Sequence, residues 1–192
     1  MSNVWFTSDL HEGHRNIGKF RKLPQWAIDQ AREMQKNGEH TEVGESTLAN
    51  SIWIDTHWRR LVKKRDTIHC LGDNAFTEWG IDQIAARPGE KVQYGGNHDD
   101  LPMTSYMRAF KNLRGCKKQR NVGWLSHFPL HPDELRGKFS VHGHVHYQTI
   151  DDWRYVNVCC DNLFEEIGRP LISLAEIQEL LAKRRESNKV EY

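Results

Sequence analysis

Short apolar runs that end abruptly in polar residues recur along this chain. The clearest covers residues 67–71, which follow a charged segment and end in Gly72-Asp73. A run of this length, bounded by turn residues, is typical of a buried strand, and glycine permits a sharp exit from it. The pattern predicts a strand that delivers the Asp73 carboxylate to the end of a sheet. Because an unpaired buried charge is unfavourable, that carboxylate needs partners.

The rest of the first half alternates between strand and helix patterns. Residues 4–8 form another strand-like run, and residues 24–36 and 45–64 carry apolar positions at helical spacing. The segment between these helices, residues 37–44, is a polar loop that ends in glycine. The order strand, helices, strand is that of an α/β protein.

The second half is richer in predicted strands. The patterns predict helices at 81–86 and 101–110 and strands at 91–94, 120–126, 139–142 and 154–160. Ser173-Leu174-Ala175-Glu176 is a capping box that opens a last helix. The charged tail, residues 184–192, is expected to fray.

Composition limits the class of protein. The 192 residues can bury one substantial core and show no internal repeat, so we expect a single domain over residues 1–192. The 27 basic and 26 acidic residues nearly cancel, which argues against binding to long nucleic acid or to a membrane surface. The first residues lack the pattern of a signal peptide, and no apolar run approaches the length of a membrane span. We therefore expect a soluble, cytoplasmic protein.

The four cysteines do not suggest a disulfide or a zinc finger. Cys159 and Cys160 are adjacent in a predicted strand, where neighbouring side chains point to opposite faces, so they are poorly placed for a bridge. The sequence also contains no C-x-x-C spacing.

The polar clusters at the ends of the strand-like runs supply groups that bind metal ions. The candidate ligands are Asp9, His11, Asp73, Asn97, His127, His144 and His146. They offer only oxygen and imidazole nitrogen, which favours Mn, Fe, Zn or Ni over a thiolate site and over a pure Ca or Mg cage. Seven groups exceed the four of a closed structural zinc site, so two ions that share one carboxylate fit better. Two ions roughly 3.5–4 Å apart can hold a hydroxide and clamp both the attacking and the leaving oxygen of a phosphate.

Five of these blocks occur in the order found in a known enzyme family. Asp9-x-His11, Gly72-Asp73, Gly96-Asn97-His98-Asp99, an isolated His127 and Gly143-His144-x-His146 resemble the calcineurin-like metallophosphoesterases, especially small bacterial and phage members. The resemblance spans residues 9–146. It implies an α/β fold in which two mixed β-sheets form a sandwich flanked by helices, in four layers, with the metals at the strand ends.

The resemblance also implies a role for each residue. It places Asp9, His11, Asp73 and His146 on a first metal, and Asp73 (as the bridge), Asn97, His127 and His144 on a second. Asp73 and His98 would be catalytic: a metal-bridging hydroxide would attack phosphorus, and His98 would protonate the leaving group. Asn97 and His98 would also contact the substrate. The expected cofactors are two divalent ions, Mn²⁺ first, with Fe, Zn or Ni as alternatives.

One position departs from the family pattern. Many phosphatases of the family carry a second acid three residues after the bridging Asp, and Phe76 stands there in this chain. What orients His98 is therefore open at this point, and Asp99 or a backbone carbonyl could serve.

Other polar and aromatic residues allow two interpretations. His14, Arg15 and Asn16 could cap a helix or could reach a substrate phosphate. Three further histidines are interpreted structurally: His69 and His142 as core or supporting residues, and His40 as a solvated loop residue. Three aromatic side chains follow the site blocks and could either stack on a base or simply pack, namely Phe76, Phe128 and Tyr147.

Three functions compete. We expect a phosphoesterase that hydrolyses a small, nucleotide-like phosphate ester, either a phosphatase or a phosphodiesterase, because every ligand position is filled. A non-catalytic scaffold of the same fold would be expected to have replaced ligands. A nuclease is disfavoured by the formal net charge of +1.

Overall fold

The computed structural model describes residues 2–189. Within this range the strands are β1 (Val4–Thr7), β2 (Thr67–Cys70), β3 (Glu90–Tyr94), β4 (Asn112–Arg114), β5 (Cys116–Gln119), β6 (Gly123–Ser126), β7 (Ser140–His142), β8 (Tyr155–Asn157) and β9 (Ile172–Ser173). The helices are α1 (Gln25–Lys36), α2 (Glu45–Leu61), α3 (Glu78–Ala86), α4 (Met103–Ala109), α5 (Pro132–Leu135), α6 (Cys160–Ile167) and α7 (Leu174–Lys189), and a 3₁₀ turn covers Ile17–Lys19. None of these helices is both long enough and apolar enough to cross a lipid bilayer.

The strands form two mixed sheets. In the first, β4, β3, β2 and β1 lie parallel in that order and β9 pairs antiparallel with β1. In the second, β6, β7 and β8 are parallel and β5 is antiparallel to β6. A parallel bridge between Ser8 and Cys159 links the end of β1 to the segment after β8. The predicted α/β architecture, two mixed sheets with flanking helices, is therefore confirmed.

The alternation of side chains along the strands creates two apolar cores. Successive strand residues face opposite sides, so Trp5 packs with the helices while Phe6 packs between the two sheets. The core between the sheets joins Tyr94 of β3 to Val141 of β7 and Val156 of β8. Because both sheets contribute to one core, packing fixes the strand ends of one sheet relative to those of the other.

Local signals define the starts of two helices. Thr77 accepts a hydrogen bond from the Gly80 amide at 3.2 Å, so α3 begins at Glu78, before the predicted residue 81. The capping box is confirmed, since the Glu176 amide donates to Ser173 Oγ at 3.3 Å and Glu176 Oε2 accepts from the Ser173 amide at 2.9 Å. The expectation that residues 184–192 fray is wrong as far as Lys189, where α7 is still helical; residues 190–192 lie outside the described range.

The predicted strand at 154–160 is wrong at its end. The strand stops at Asn157, whose Oδ1 accepts from the Cys159 amide at 2.9 Å, and Cys160 opens helix α6. Most of this run is buried, and periodicity alone cannot separate a strand from a helix in a buried run. The short strands β4, β5 and β9 were not predicted either. They carry polar residues or too few positions to show an alternation.

Asp66 connects the N-terminal segment to the entry of β2. Its Oδ1 accepts from the Asn3 amide at 2.8 Å, and its Oδ2 accepts from the Lys63 amide at 2.9 Å and from Trp5 Nε1 at 3.2 Å. Burial raises the pKa of Asp66, but these hydrogen bonds outweigh burial and lower that pKa below its ordinary value.

We expect Asp66→Ala to lower the free energy of unfolding by about 1–3 kcal/mol, because three donors lose their acceptor. The contribution of the ionised carboxylate is present above the unfolded pKa of about 3.9 and is lost as the pH falls through the lower folded pKa. Urea denaturation at neutral and at acidic pH tests this, with exposed Glu39→Ala as control. A difference between parent and variant that does not narrow on acidification would contradict the role of the charge.

Candidate metal centre

The carboxyl ends of the parallel strands from both sheets meet at one place. Asp9 follows β1, Asp73 follows β2 and Asn97 follows β3, while His127 follows β6 and His144 follows β7. The carboxyl ends of parallel strands are where open α/β sheets present their binding groups. The structure therefore brings together the blocks that lie far apart in the sequence.

The loops that carry these residues adopt an unusual backbone conformation. Five of the predicted ligands have a positive φ: Asp9 (56°), His11 (52°), Asp73 (51°), His144 (72°) and His146 (50°). Residues with a Cβ rarely adopt this region, and such strain, on the order of 1–3 kcal/mol per residue, concentrates at functional sites. The strained positions therefore coincide with five of the seven predicted ligands.

The side chains form two groups of ligand atoms. Asp9, His11 and His146 form one, and Asp9, Asp73 and His127 form the other; the ligand atoms of each group lie within 4.8 Å of one another. Asp9 Oδ1 is 3.8 Å from both His11 Nε2 and His146 Nε2. Asp9 therefore belongs to both groups. Asp73 Oδ2 lies 3.5 Å from His127 Nε2 in the second group and 4.0 Å from His11 Nε2 in the first.

Two buried atoms of this centre have no partner within the described chain. Asp9 Oδ1 and His11 Nε2 make no hydrogen bond although their residues are almost fully buried. Buried polar atoms are normally satisfied. Their positions, in a set of oxygen and imidazole donors, fit the requirements of a divalent cation.

The remaining predicted ligands border these groups. Asn97 Oδ1 lies 3.0 Å from His127 Nε2. The His144 ring lies 5.1 Å from the His127 ring, centroid to centroid, and the His144 backbone amide donates to Asp9 Oδ2 at 3.0 Å. Asn97 and His144 thus lie on the His127 side of the centre, although His144 belongs to neither close group of ligand atoms.

Hydrogen bonds behind the centre orient its rings. His127 Nδ1 bonds the Leu71 carbonyl at 2.8 Å, which leaves Nε2 facing Asp73. His146 Nδ1 bonds Asp161 Oδ2 at 2.8 Å in the same manner. Histidines that bind metals commonly hold their second nitrogen this way.

Arg21 supports the same centre through a set of buried hydrogen bonds. Its guanidinium donates to Asp161 Oδ1 at 2.5 Å, to the carbonyls of Asp9 and Leu10 at 2.6 and 3.1 Å, and to Asn50 Oδ1 at 2.7 Å. Arg21 and Asp161 were missed in the sequence. A signal existed for Asp161, which ends an apolar run in the way Asp73 does, but no local pattern marked Arg21.

The adjacent cysteines also support the centre. Cys159 Sγ lies 3.0 Å from Asp9 Oδ2 and Cys160 Sγ lies 3.1 Å from the Asp9 carbonyl. The expectation of opposite directions is wrong here, because these residues open a helix rather than continue a strand. All four cysteines are free in this structure.

The electrostatics of the centre keep its carboxylates ionised. Burial raises the pKa of Asp9, but electrostatic interactions with His11 and His127 outweigh burial and hold that pKa well below its usual range. Burial also raises the pKa of Asp73, but the interaction with His127 outweighs burial and lowers that pKa below its ordinary value. Burial lowers the pKa of His11, so its imidazole is neutral at neutral pH. Ionised carboxylates and a neutral imidazole are the forms in which Asp9, Asp73 and His11 bind metals.

The structure shows what orients His98. Its exposed ring stacks on Phe76, with centroids 5.4 Å apart and planes at 28°, and its amide donates to Asp73 Oδ1 at 3.0 Å. Asp99, one of the two alternatives raised above, instead accepts hydrogen bonds from the backbone amides of Asp73, Asn74 and Gly96. The His98 side chain therefore contacts the Phe76 ring, and Asp99 is engaged with backbone amides.

The three residues after Gly13 separate into two groups. The His14 ring contacts the Phe76 ring at 4.8 Å and the His11 ring at 5.7 Å, so His14 borders the centre. Arg15 and Asn16 are exposed, and the Asn16 side chain makes no capping hydrogen bond to the 3₁₀ turn. Of these three residues, His14 is therefore the one that contacts the centre.

The other histidines occupy the expected types of position. His69 is buried with Nδ1 3.2 Å from the Tyr94 hydroxyl, and His142 is buried with Nδ1 2.8 Å from the Gly143 carbonyl. His40 is half-buried in the loop between α1 and α2, with its ring edge against Trp79. Phe128, which was predicted either to pack or to stack, packs on His127 and His144 and is still 45% exposed.

The fold and the site together define a mixed α/β protein with an Asp- and His-lined centre at the ends of its parallel strands. No protein-family model matches the chain. Gene 66 protein of Mycobacterium phage L5 is 31% identical over 186 residues, which cover 78% of this chain and 80% of that protein. Gene 66 protein of Mycobacterium phage D29 is 29% identical over an alignment of 220 positions, gaps included, which covers 94% of this chain and 96% of that protein. The chain belongs to the family of these Gene 66 proteins.

A solved structure shares the fold. The crystal structure of AQ665 from Aquifex aeolicus, a protein of unknown function, superposes with a TM-score of 0.62 at 21% identity, over 94% of this chain and 100% of that chain. At this level of identity the similarity concerns the fold alone.

Gly96 allows the close approach of the loop after β3 to Asp73. A Cβ at this position would lie 2.1 Å from Asp73 Oδ1 and 2.6 Å from the Asp73 amide nitrogen. We expect Gly96→Ala to displace this carboxylate and to lower the free energy of unfolding by about 1–3 kcal/mol, as overpacking does. Urea denaturation measures the loss. Gly115→Ala is the matched control, since nothing lies within 4 Å of its Cβ, and equal stability of the two variants would contradict the prediction.

Proposed function

We propose that this protein is a metal-dependent phosphoesterase with the calcineurin-like metallophosphoesterase fold, and that it hydrolyses a small phosphate ester. The observation that supports this most is the centre itself, in which unpartnered buried atoms of Asp9 and His11 face Asp73, His127 and His146. The order of the ligand blocks along the chain, from Asp9 to His146, supports it independently.

The residues present fit two divalent ions. Asp9, His11, Asp73 and His146 would hold the first, and Asp73, Asn97, His127 and His144 the second. Bound there, the ions would polarise the phosphate and make a water molecule nucleophilic at neutral pH. Mn²⁺ is the proposed ion because all the donors are oxygen or imidazole nitrogen, with Fe, Zn or Ni as alternatives.

The side chains have separate tasks in this proposal. Asp73 belongs to the second ligand group and lies 4.0 Å from His11 of the first, so we assign it as the carboxylate that would serve both ions. Asp161 and the Leu71 carbonyl fix the rings of His146 and His127. His98 is exposed at the edge of the centre, so its ring can reach a phosphate or the oxygen of a leaving group. We assign it as the general acid.

The surroundings favour a small substrate. Phe76 and Phe128, both in contact with site histidines, form an apolar rim rather than a basic groove. A nuclease would need a row of cations for the phosphates of a polymer. The scaffold alternative is disfavoured because every ligand position is occupied by a side chain that can bind metal.

The first test removes the central carboxylate. We expect Asp73→Asn to abolish most turnover of an aryl phosphate or aryl phosphodiester and to reduce bound metal from about two ions per chain to about one or fewer. Elemental analysis and steady-state kinetics with Mn²⁺ measure both quantities. His40→Ala, in the loop between α1 and α2, should change neither. Two bound ions and normal turnover in Asp73→Asn would refute the two-metal proposal.

The second test concerns His98. An alkoxide leaves poorly unless protonated, whereas a nitrophenolate leaves readily, so general acid help of roughly 10²–10⁴-fold matters only for the former. We expect His98→Ala to retain its metals, to lose much of its rate on alkyl or nucleoside esters, and to lose less on nitrophenyl esters. Kinetics over a series of leaving groups measure this. Equal losses across the series would mean that His98 binds the phosphate without acting as an acid.

A further inference from the structure

A pocket of about 350 Å³ opens directly beside the metal centre. His11 and His146 form the side next to the centre, Ile17 is buried in the lining, and Phe20 and Tyr147 are its exposed aromatic residues. The volume is at the lower end of the range for small-molecule sites, which is roughly 300–1,000 Å³. A ligand whose phosphate lies on the centre would place its organic group here.

The two exposed aromatic side chains are held by well-bonded turns. Phe20, 68% exposed, follows the 3₁₀ turn and is fixed by hydrogen bonds from its own amide and the Arg21 amide to the Ile17 carbonyl, at 3.0 and 2.9 Å. The ring of His14 meets the Phe20 ring edge to face at 5.8 Å. Single exposed apolar rings are common, but exposed apolar surface that clusters inside a rim of polar residues marks a binding site.

Tyr147 is fixed from the other side. It is 39% exposed, and the peptide on each side of it is bound by the Asn157 side chain, which donates to the His146 carbonyl at 2.6 Å and to the Gln148 carbonyl at 3.2 Å. The pocket therefore has two preformed aromatic surfaces, one from the segment after β1 and one from the loop after β7.

The charges that line the pocket are already used. Arg21 and Asp161 contribute to its lining, but they bond to each other, and their remaining groups bind Asp9, Leu10, Asn50 and His146. No uncompensated charge is therefore offered to a ligand by this pair. The pocket suits a flat, uncharged group that gains from stacking rather than from ion pairing.

We propose, on the basis of the phosphoesterase function above, that this pocket binds the nucleobase of a nucleotide ester. Phe20 and Tyr147 are the residues that favour substrates with a base over substrates without one. Aromatic stacking accepts every base, since each has a flat π-face, so discrimination between bases is expected to be weak.

The test uses substrate pairs in which a hydroxyl group replaces the base on the same sugar phosphate. One pair is adenosine 5′-monophosphate and ribose 5-phosphate, and the other is their methyl diesters, assayed on the full chain with Mn²⁺. We expect a higher kcat/KM with the base present, and a loss of about tenfold in that advantage, mainly through KM, in Phe20→Ala and Tyr147→Ala. The kcat/KM for the two substrates without a base should be the same in these variants as in the parent. Trp26→Ala, an exposed aromatic residue of α1 outside the pocket, is the control and should match the parent.

A binding measurement separates this inference from the proposed function. Free adenosine, titrated by NMR without metal, should bind the parent and bind Phe20→Ala more weakly. If adenosine binding follows this pattern while no ester is turned over, the base pocket stands and the phosphoesterase proposal fails. Equal losses on substrates with and without a base, or adenosine binding that is absent in the parent or unchanged in both variants, would overturn the assignment of the pocket.

Discussion

The arrangement of the site depends on one buried cation, the guanidinium of Arg21. It donates at once to the backbone of the loop after β1, to Asn50 of α2 and to Asp161 of α6, and Asp161 in turn holds His146. Removing one partner of a buried pair typically costs about 3–5 kcal/mol, because the other charge is left uncompensated. A single side chain thus couples the loops of both sheets.

A second constraint is the strained backbone at the strand ends. Asp9, Asp73 and His144 hold a positive φ that their side chains disfavour. The surrounding hydrogen bonds compensate: Asp99 accepts from the amides of Asp73 and Asn74, and Asp9 accepts from the amide of His144. Side chains at the site therefore stabilise the loops that present them, and Asp99 has this role without being one of the predicted ligands.

The pattern of apolar runs ending in polar residues predicted the strands that matter for the site and the residues that follow them. It failed where burial is continuous, as at Cys159 and Cys160, because a fully buried run shows no periodicity. It also failed for Arg21, whose partners are up to 140 residues away in the chain. The sequence showed that Phe76 stands where many members of the resembled family carry an acid. Only the tertiary structure showed that its ring stacks on His98.

By itself, the sequence determined the kinds of group that the protein can assemble: carboxylate, amide and imidazole donors, each placed just after a buried strand. Those features are local, because strand patterns and sharp exits depend on neighbouring residues. Only the tertiary structure decided which of these groups meet, which rings are held by Asp161 and by Leu71, and that Phe20 and Tyr147 line one pocket. These are relations between segments distant in the chain, and they arise from the packing of two sheets about one core.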